Sequence, residues 1–517
     1  MSERSFWWAL LTVPLFLISA DTVHAVEYGE LVQKNGKWEF KNTEDPVFKV
    51  MRDTGWITNE RYIAVSERTG KNWIEPADAV LNRRREMEWN RYLKTGLHLP
   101  DWIDLGLEQR TRFESVDHPW RANQAIGNGR TDDQIAMRSR VRFGLGGDGP
   151  LRFLFEGQDS RSVLNGDRGD FRDTTSVNEF DILQLLGSLT VNNAMGTGLR
   201  TDFHFGRMTM DFGQRRLVAR NDFRNTSNAF DGFHWQISQS QTWRLRAFFV
   251  EPVIRDFVTL DTENVHSLFW GTYLESRHFN WFQTDAYYFG LNDIRLRNVA
   301  THRTYSTFGG RLYKDPKPGE PDYEIETTWQ TGTRGVTDHF AHFQHLDLGY
   351  TFNLPWTPRL VSHFDYASGD HKPGDSQDEG FDTLFGARRW EYGPTGIFLP
   401  FFRTNLISPG WRFIVTPTPN LIVQVKHRVW YLAQSKDFFG GSVNSGLRDT
   451  TGNAGTSLGH DMELRAQYAL SANLDFDIGY VRWFKGSYFD SPAILTQLPA
   501  GGNKDSDYFY AQVRVRI

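Results

Sequence analysis

Three arginines at alternate positions, Arg138, Arg140 and Arg142, are the residues whose type and spacing best suit a chemical role. In an extended strand, successive side chains point to opposite faces, so these three share one face at intervals of about 7 Å. Guanidinium groups bind carboxylates through paired hydrogen bonds. The spacing therefore predicts a positively charged stripe that suits a carboxylate-bearing solute.

The residues between these arginines fit a strand with two different faces. Met137, Val141 and Phe143 are apolar and alternate with the arginines. The same alternation begins at Ile103 and recurs in segment after segment up to Ile517. Period-two alternation is typical of strands with one apolar and one polar surface.

Collecting the charged face of these strands gives the candidate pore-lining and substrate-binding residues. The basic candidates are Arg110, Arg112, Arg138, Arg140, Arg142, Arg152, Arg244, Arg246, Arg428, Arg465, Arg514 and Arg516, and the acidic ones are Glu108 and Glu156. A ring of basic groups in a water-filled pore lowers the barrier for anions and raises it for cations. The alternative, in which the arginines pair with carboxylates across strands and brace the wall, stays open.

Composition favours a membrane barrel. The chain has 517 residues, 15% aromatic residues and a mean hydropathy of −0.52. A transmembrane antiparallel β-barrel places apolar residues outside and polar ones inside, which reconciles many aromatic residues with low hydropathy. We therefore predict an all-β fold with about 18 strands, with 16 as the alternative. A soluble sandwich or propeller requires linkers or a repeat that the sequence does not show.

The first hundred residues have a different pattern. Residues 1–25 have the charged start, apolar stretch and small-residue end of a signal peptide. Residues 26–100 predict a small N-terminal extension, periplasmic or plug-like, with a helix that starts at Pro76. Residues 101–517 form the predicted barrel, in the outer membrane of a Gram-negative bacterium.

Several function classes are disfavoured. The chain has no cysteine, which excludes thiolate metal sites, and a net charge of −5 argues against nucleic acid as a partner. The acidic run Asp375, Asp378 and Glu379 lacks the ordered spacing of a calcium loop. The histidines are scattered, with no His-Glu-x-x-His motif. We expect no enzyme activity, cofactor or metal.

Several blocks resemble the alginate export family of outer-membrane barrels. They are Phe-Asp-Thr-Leu-Phe at 381–385, Trp-Glu-Tyr-Gly at 390–393, Asn-Leu at 405–406, Tyr-Ala-Ser-Gly-Asp at 366–370, Gly-Arg at 206–207, Phe-Gly at 212–213, Phe-Asp-Gly at 230–232, Gly-His-Asp-Met-Glu-Leu at 459–464 and Phe-Lys-Gly-Ser-Tyr at 484–488. The resemblance covers about residues 100–517. It implies a monomeric barrel whose arginine-lined constriction passes an anionic uronic-acid polymer. For Trp390 and Tyr392 the sequence leaves two interpretations open: stacking on ring faces along a sugar path, and a place at the membrane interface, which the aromatic girdles of barrels favour.

These observations lead to two hypotheses of channel function. The first is passive export of an anionic polysaccharide or oligosaccharide, alginate-like, with help from a periplasmic secretion partner. The alternative is an anion-selective or general porin for uptake of small solutes. In both, outer-membrane lipid surrounds the barrel.

Overall fold

The computed structural model describes residues 31–34, 37–40, 93, 96–100, 102–118, 120, 132–146, 149–163, 174–239, 242–279, 282–294, 302–394, 401–418, 421–440, 446–470 and 474–517. The predicted signal peptide and helix from Pro76 lie outside these residues. Near the N-terminus, Leu31–Lys34 and Lys37–Phe40 pair as a two-stranded antiparallel hairpin. No helix in the described part of the chain is long and apolar enough to cross a membrane.

Eighteen strands in the described residues form a closed antiparallel barrel, which confirms the predicted fold and strand number. In chain order they are β1 Ile103–Asp117, β2 Asp132–Leu145, β3 Leu151–Val163, β4 Asn178–Val191, β5 Arg200–Met208, β6 Phe230–Gln239, β7 Trp243–Ile254, β8 Ser267–Ser276, β9 Gln283–Asp293, β10 Arg303–Lys314, β11 Pro321–Arg334, β12 Thr337–Thr351, β13 Arg359–Ala367, β14 Leu406–Thr418, β15 Leu421–Tyr431, β16 Ser457–Ala469, β17 Leu474–Lys485 and β18 Ser506–Arg516. Two-residue strands at Thr262–Glu263 and Gln377–Asp378 and short helices α1 Arg389–Tyr392 and α2 Pro492–Leu495 lie between them.

The last strand closes the barrel against the first. In the β18–β1 pair, Arg514 lies opposite Arg110 and Arg516 opposite Glu108. The backbones of Leu107 and Ile517 exchange hydrogen bonds of 2.7 and 3.0 Å. Closure leaves no open sheet edge, which a strand structure in lipid requires.

The two faces of the strands differ as the sequence predicts. Burial alternates at every residue of β18, and the buried face carries polar and charged groups. Large apolar residues such as Val141 and Leu464 are 44% and 52% exposed on the outer face. An outer apolar surface facing lipid and an inner polar surface are the arrangement of membrane barrels.

Two long connections fold into the barrel. Residues 209–229, the first inward loop, join β5 to β6, and residues 368–394 belong to the connection from β13 to β14, the second inward loop. Both lie at the end of the barrel with the longer connections, which is the extracellular end in such proteins. Within the first loop, the Phe212 ring packs 5.3–5.9 Å from the rings of Phe248, Tyr273 and Phe289 on the inner wall.

Candidate functional site

The first inward loop crosses the lumen. On one side of the lumen, Asp222 of this loop contacts arginines of β1 and β2. On the other side, Arg216 of the same loop bonds Glu324 of β11 at 2.7 Å. Because β11 lies ten strands after β1 in a ring of eighteen, these contacts are on nearly opposite walls. The loop therefore narrows the channel.

A row of arginines lies under the Asp222 end of this loop. Register places Arg110 between Arg514 on one neighbouring strand and Arg138 on the other, and Arg140 lies on the same strand face as Arg138. We call Arg110, Arg138, Arg140 and Arg514 the arginine cluster. Neighbouring strands are about 4.8 Å apart, so these like charges would repel without an anion between them.

Asp222 of the loop and Glu108 of the wall provide anions there, and Glu108 accepts a 2.8 Å hydrogen bond from Arg138 and lies 3.5 Å from Arg140. The Asp222 carboxylate accepts hydrogen bonds from Arg138 at 2.9 Å, Arg140 at 3.1 Å and Arg514 at 3.3 Å. Its backbone carbonyl accepts from Arg110 at 2.5 Å and Arg138 at 2.9 Å. The arginine cluster thus already binds one carboxylate of the loop, through three guanidinium groups from two strands, while Arg110 of a third strand binds the backbone carbonyl.

The electrostatics of Asp222 agree with this geometry. Burial alone would raise the pKa of the Asp222 carboxyl, but Arg138 and Arg140 hold it well below its usual value. The Asp222 side chain is still 36% exposed, whereas that of Arg138 is fully buried. The carboxylate is therefore charged, bound and accessible from the lumen.

The two inward loops join each other inside the barrel. Val218 and Phe385 form a parallel bridge, and the Phe385 N–H donates to Leu217 O at 2.9 Å. Glu391 accepts a 2.6 Å hydrogen bond from Arg216 and also bonds Arg403. We call these contacts together, the Val218–Phe385 bridge and the bonds of Glu391 to Arg216 and Arg403, the loop junction.

The loop junction is strongly charged and buried. Burial would raise the pKa of Glu391, but Arg216 and Arg403 hold it well below its usual value. Glu391, His345 and Asp365 also present ligand atoms within 4.8 Å of one another, as metal sites do. Arg428 lies 2.6 Å from Asp365, and positive charges at this distance oppose a metal cation.

The other predicted site residues are also on the inner wall, and most are paired. Arg112 bonds Glu114 and the Phe223 carbonyl, and Arg142 lies opposite Glu156 in register. Pairs with distances are Arg152–Asp202 at 3.3 Å, Arg244–Glu275 at 2.5 Å, Arg246–Glu275 at 3.5 Å, Arg428–Asp365 at 2.6 Å, Arg465–Asp477 at 2.9 Å and Arg516–Glu108 at 3.5 Å. Many of these arginines therefore pair with carboxylates across strands and stabilise the barrel wall, as the alternative hypothesis from the sequence predicts.

Sequence reasoning missed the loop residues. Asp222, Arg216 and Glu391 lie in connections without period-two alternation, and the only hint is that 21 residues between two strands exceed a turn. Tyr392 is not at the membrane interface as expected. It is buried inside the barrel, with its ring 5.4 Å from that of Trp430.

One hydrolase-like spacing also escaped the sequence argument. Gly-Thr-Ser-Leu-Gly at 455–459 has the Gly-x-Ser-x-Gly pattern of a nucleophile elbow. Ser457 is the first residue of β16, whereas an elbow requires a turn from a strand into a helix. The pattern therefore lacks the structural context of a catalytic serine.

Solved structures of similar fold include three proteins of Pseudomonas aeruginosa. OpdK, crystallised with vanillate, and OccK8 (OprE) each have a TM-score of 0.51 at 12% identity, covering 80% of this chain and 98% of theirs. OccD3 (OpdP) has a TM-score of 0.51 at 10% identity, covering 80% of this chain and 91% of its own. At these identities the likeness concerns the fold. No curated protein sequence matches the chain.

The sequence model of a family described as alginate export matches residues 101–495, most of the chain and nearly all of the barrel. This match agrees with the closed barrel, its polar inner wall and its inward loops. The chain belongs to the alginate export family and is an outer-membrane channel of a Gram-negative bacterium.

Proposed function

We propose that this channel passively exports an anionic polysaccharide or oligosaccharide, alginate-like in carrying carboxylates. The observation that carries the proposal is the arginine cluster, where Asp222 occupies the place that a carboxylate of the solute would take. Guanidinium groups that bind one carboxylate in a fixed fork geometry suit another of the same shape. The solute then moves past the cluster by exchange with Asp222.

The chain performs no chemistry on the solute in this proposal. The barrel acts as a monomer in outer-membrane lipid, and a periplasmic partner delivers the polymer. Family membership supports the outward direction. The driving force comes from synthesis or delivery on the periplasmic side.

A second candidate is uptake of small anionic solutes. It is favoured by the first inward loop, because a segment bound to nearly opposite walls leaves a narrow path. A narrow, charged path suits a single small carboxylate as well as an extended polymer chain.

Single-channel block tests the proposal. Digalacturonate added to the periplasmic side of a reconstituted channel is expected to block the current, and a longer oligogalacturonate to block at lower concentration. Replacing Arg138 and Arg140 by Gln is expected to raise both half-blocking concentrations at least tenfold. If chain length has no effect, the uptake candidate replaces export. If neither uronate blocks, the carboxylate site is wrong.

A further inference from the structure

A cavity lies at the extracellular mouth of the barrel, and no residue of the arginine cluster borders it. Its volume is about 680 Å³, and it lies between the ends of β10 and β11, the second inward loop and residues 437–438. Ligand sites typically enclose about 300–1,000 Å³. The space is therefore large enough for one or two sugar rings.

Two arginines and a shared carboxylate form one side of this cavity. Arg303 bonds Asp382 at 2.8 Å and Asp293 at 2.5 Å, while Arg334 lies 2.9 Å from Asp378 and 3.5 Å from Asp382. Each guanidinium has five N–H groups, more than these pairings use, and each carboxylate has several lone pairs. Such paired donors and acceptors match the neighbouring hydroxyl groups of a sugar.

Aromatic residues form another part of the lining. Phe381, Phe402 and Phe438 all border the cavity, together with the short polar side chains of Thr383 and Thr404. Ring faces pack against apolar surface and attract weakly positive groups, such as the C–H face of a pyranose. A few polar groups beside aromatic surface are typical of small-molecule sites.

The charge of the lining disfavours acidic sugars. Among the described residues that border the cavity, three are arginines, at 303, 334 and 448, and five are aspartates, at 370, 375, 378, 382 and 437. The Asp370 N–H donates to the Asp437 carboxylate at 2.8 Å, so two of these acidic residues adjoin. A net negative lining repels a solute carboxylate.

We infer that this cavity binds an uncharged sugar unit of the transported polymer, which makes the substrate an acidic heteropolysaccharide. The inference rests on the proposed export function. Carboxylate-bearing units bind at the arginine cluster and uncharged units at the mouth. A homopolymer of uronate has nothing to fill the second site.

Block by cellobiose, an uncharged disaccharide, tests this site directly. Added to the extracellular side of the reconstituted channel, cellobiose is expected to block the current, and the cavity variants are expected to weaken this block. Block by digalacturonate, which binds the arginine cluster, should be unchanged in the same variants. Thr383→Trp fills the cavity without removing an ion pair, and it should raise the half-blocking concentration of cellobiose at least tenfold. Gln377→Ala changes an exposed side chain of the lining and should weaken block by cellobiose several-fold. This second variant tests the site if Thr383→Trp prevents insertion of the barrel into the membrane.

The Arg138 and Arg140 substitutions separate this inference from the proposed function. They should leave cellobiose block unchanged while weakening block by digalacturonate from the periplasmic side. Absence of cellobiose block, or block that neither cavity variant alters, overturns the inference. If digalacturonate does not block the unaltered channel while cellobiose does, the export proposal is overturned and the cavity remains a sugar site.

Discussion

Replacing Asp222 by Asn should make the channel bind anions more tightly. Asn keeps an oxygen that can accept the hydrogen bond from Arg138, and the backbone bonds of the loop to the arginine cluster do not involve the side chain. The substitution therefore removes one negative charge while leaving most of the loop contacts in place. Arg140 and Arg514 lose their charged partner in the loop and keep their wall partners, Glu108 at 3.5 Å and Asp475 at 3.0 Å. The N–H groups that bonded Asp222 can then bind the solute.

The size of the effect follows from the charge that is removed. A solute carboxylate held by the same arginines lies about 6 Å from Asp222, and at an effective dielectric constant of about 20 the repulsion is about 3 kcal/mol. Screening over a Debye length of about 8 Å roughly halves this energy. About 1.4 kcal/mol corresponds to about a tenfold change in affinity.

The assay is the half-blocking concentration of digalacturonate in planar bilayers at 0.15 M salt. We expect about a tenfold decrease for Asp222→Asn. Asp505→Asn is the matched control, because Asp505 pairs with Arg482 at 3.4 Å in an exposed position outside the lumen. An unchanged or higher half-blocking concentration in Asp222→Asn would refute competition between this residue and the solute.

Two further predictions concern the inward loops. Glu391→Gln removes the carboxylate that Arg216 and Arg403 share, while Arg216 keeps its bond to Glu324. Single-channel recordings should therefore show a higher open probability than for Glu179→Gln, a half-buried control outside the loop junction. Equal values would contradict a closed loop junction. Burial and the neighbouring Asp437 raise the pKa of Asp370 to about 6. Because a raised carboxyl pKa means that ionisation destabilises the folded state, the cost grows as pH rises from about 4 to 6, and Asp370→Asn should raise the thermal midpoint at pH 8 but not at pH 3.5. A gain at pH 3.5 equal to that at pH 8 would show that charge is not the cause.

The strands could be predicted because their signal is local. Side-chain direction alternates with every residue, so the inward position of Arg138 and Arg140 follows from the sequence around them. The alternation up to Ile517 predicted a strand in that segment, and the structure pairs this strand, β18, with β1. The expected family membership and outer-membrane location are confirmed by the family match and the barrel.

The contents of the lumen could not be predicted, because their contacts join distant parts of the chain. Arg110 and the Asp222 carbonyl are 112 residues apart, and Arg216 and Glu391 are 175 apart. Nothing in the local sequence around Asp222 indicates that the loop turns inward. The position of Tyr392 could not be predicted either, because it depends on a contact with the distant Trp430. Its aromatic side chain suits a membrane interface and a buried loop equally well.

The most direct test of the account is the reversal potential of the channel in a salt gradient. Replacing Arg138, Arg140 and Arg142 together by Gln removes three positive charges from one face of β2, while the outer apolar face that meets lipid is untouched. We expect that the variant inserts normally and that its reversal potential shifts towards that of a non-selective pore. A reversal potential equal to that of the unaltered channel would show that these arginines only brace the wall.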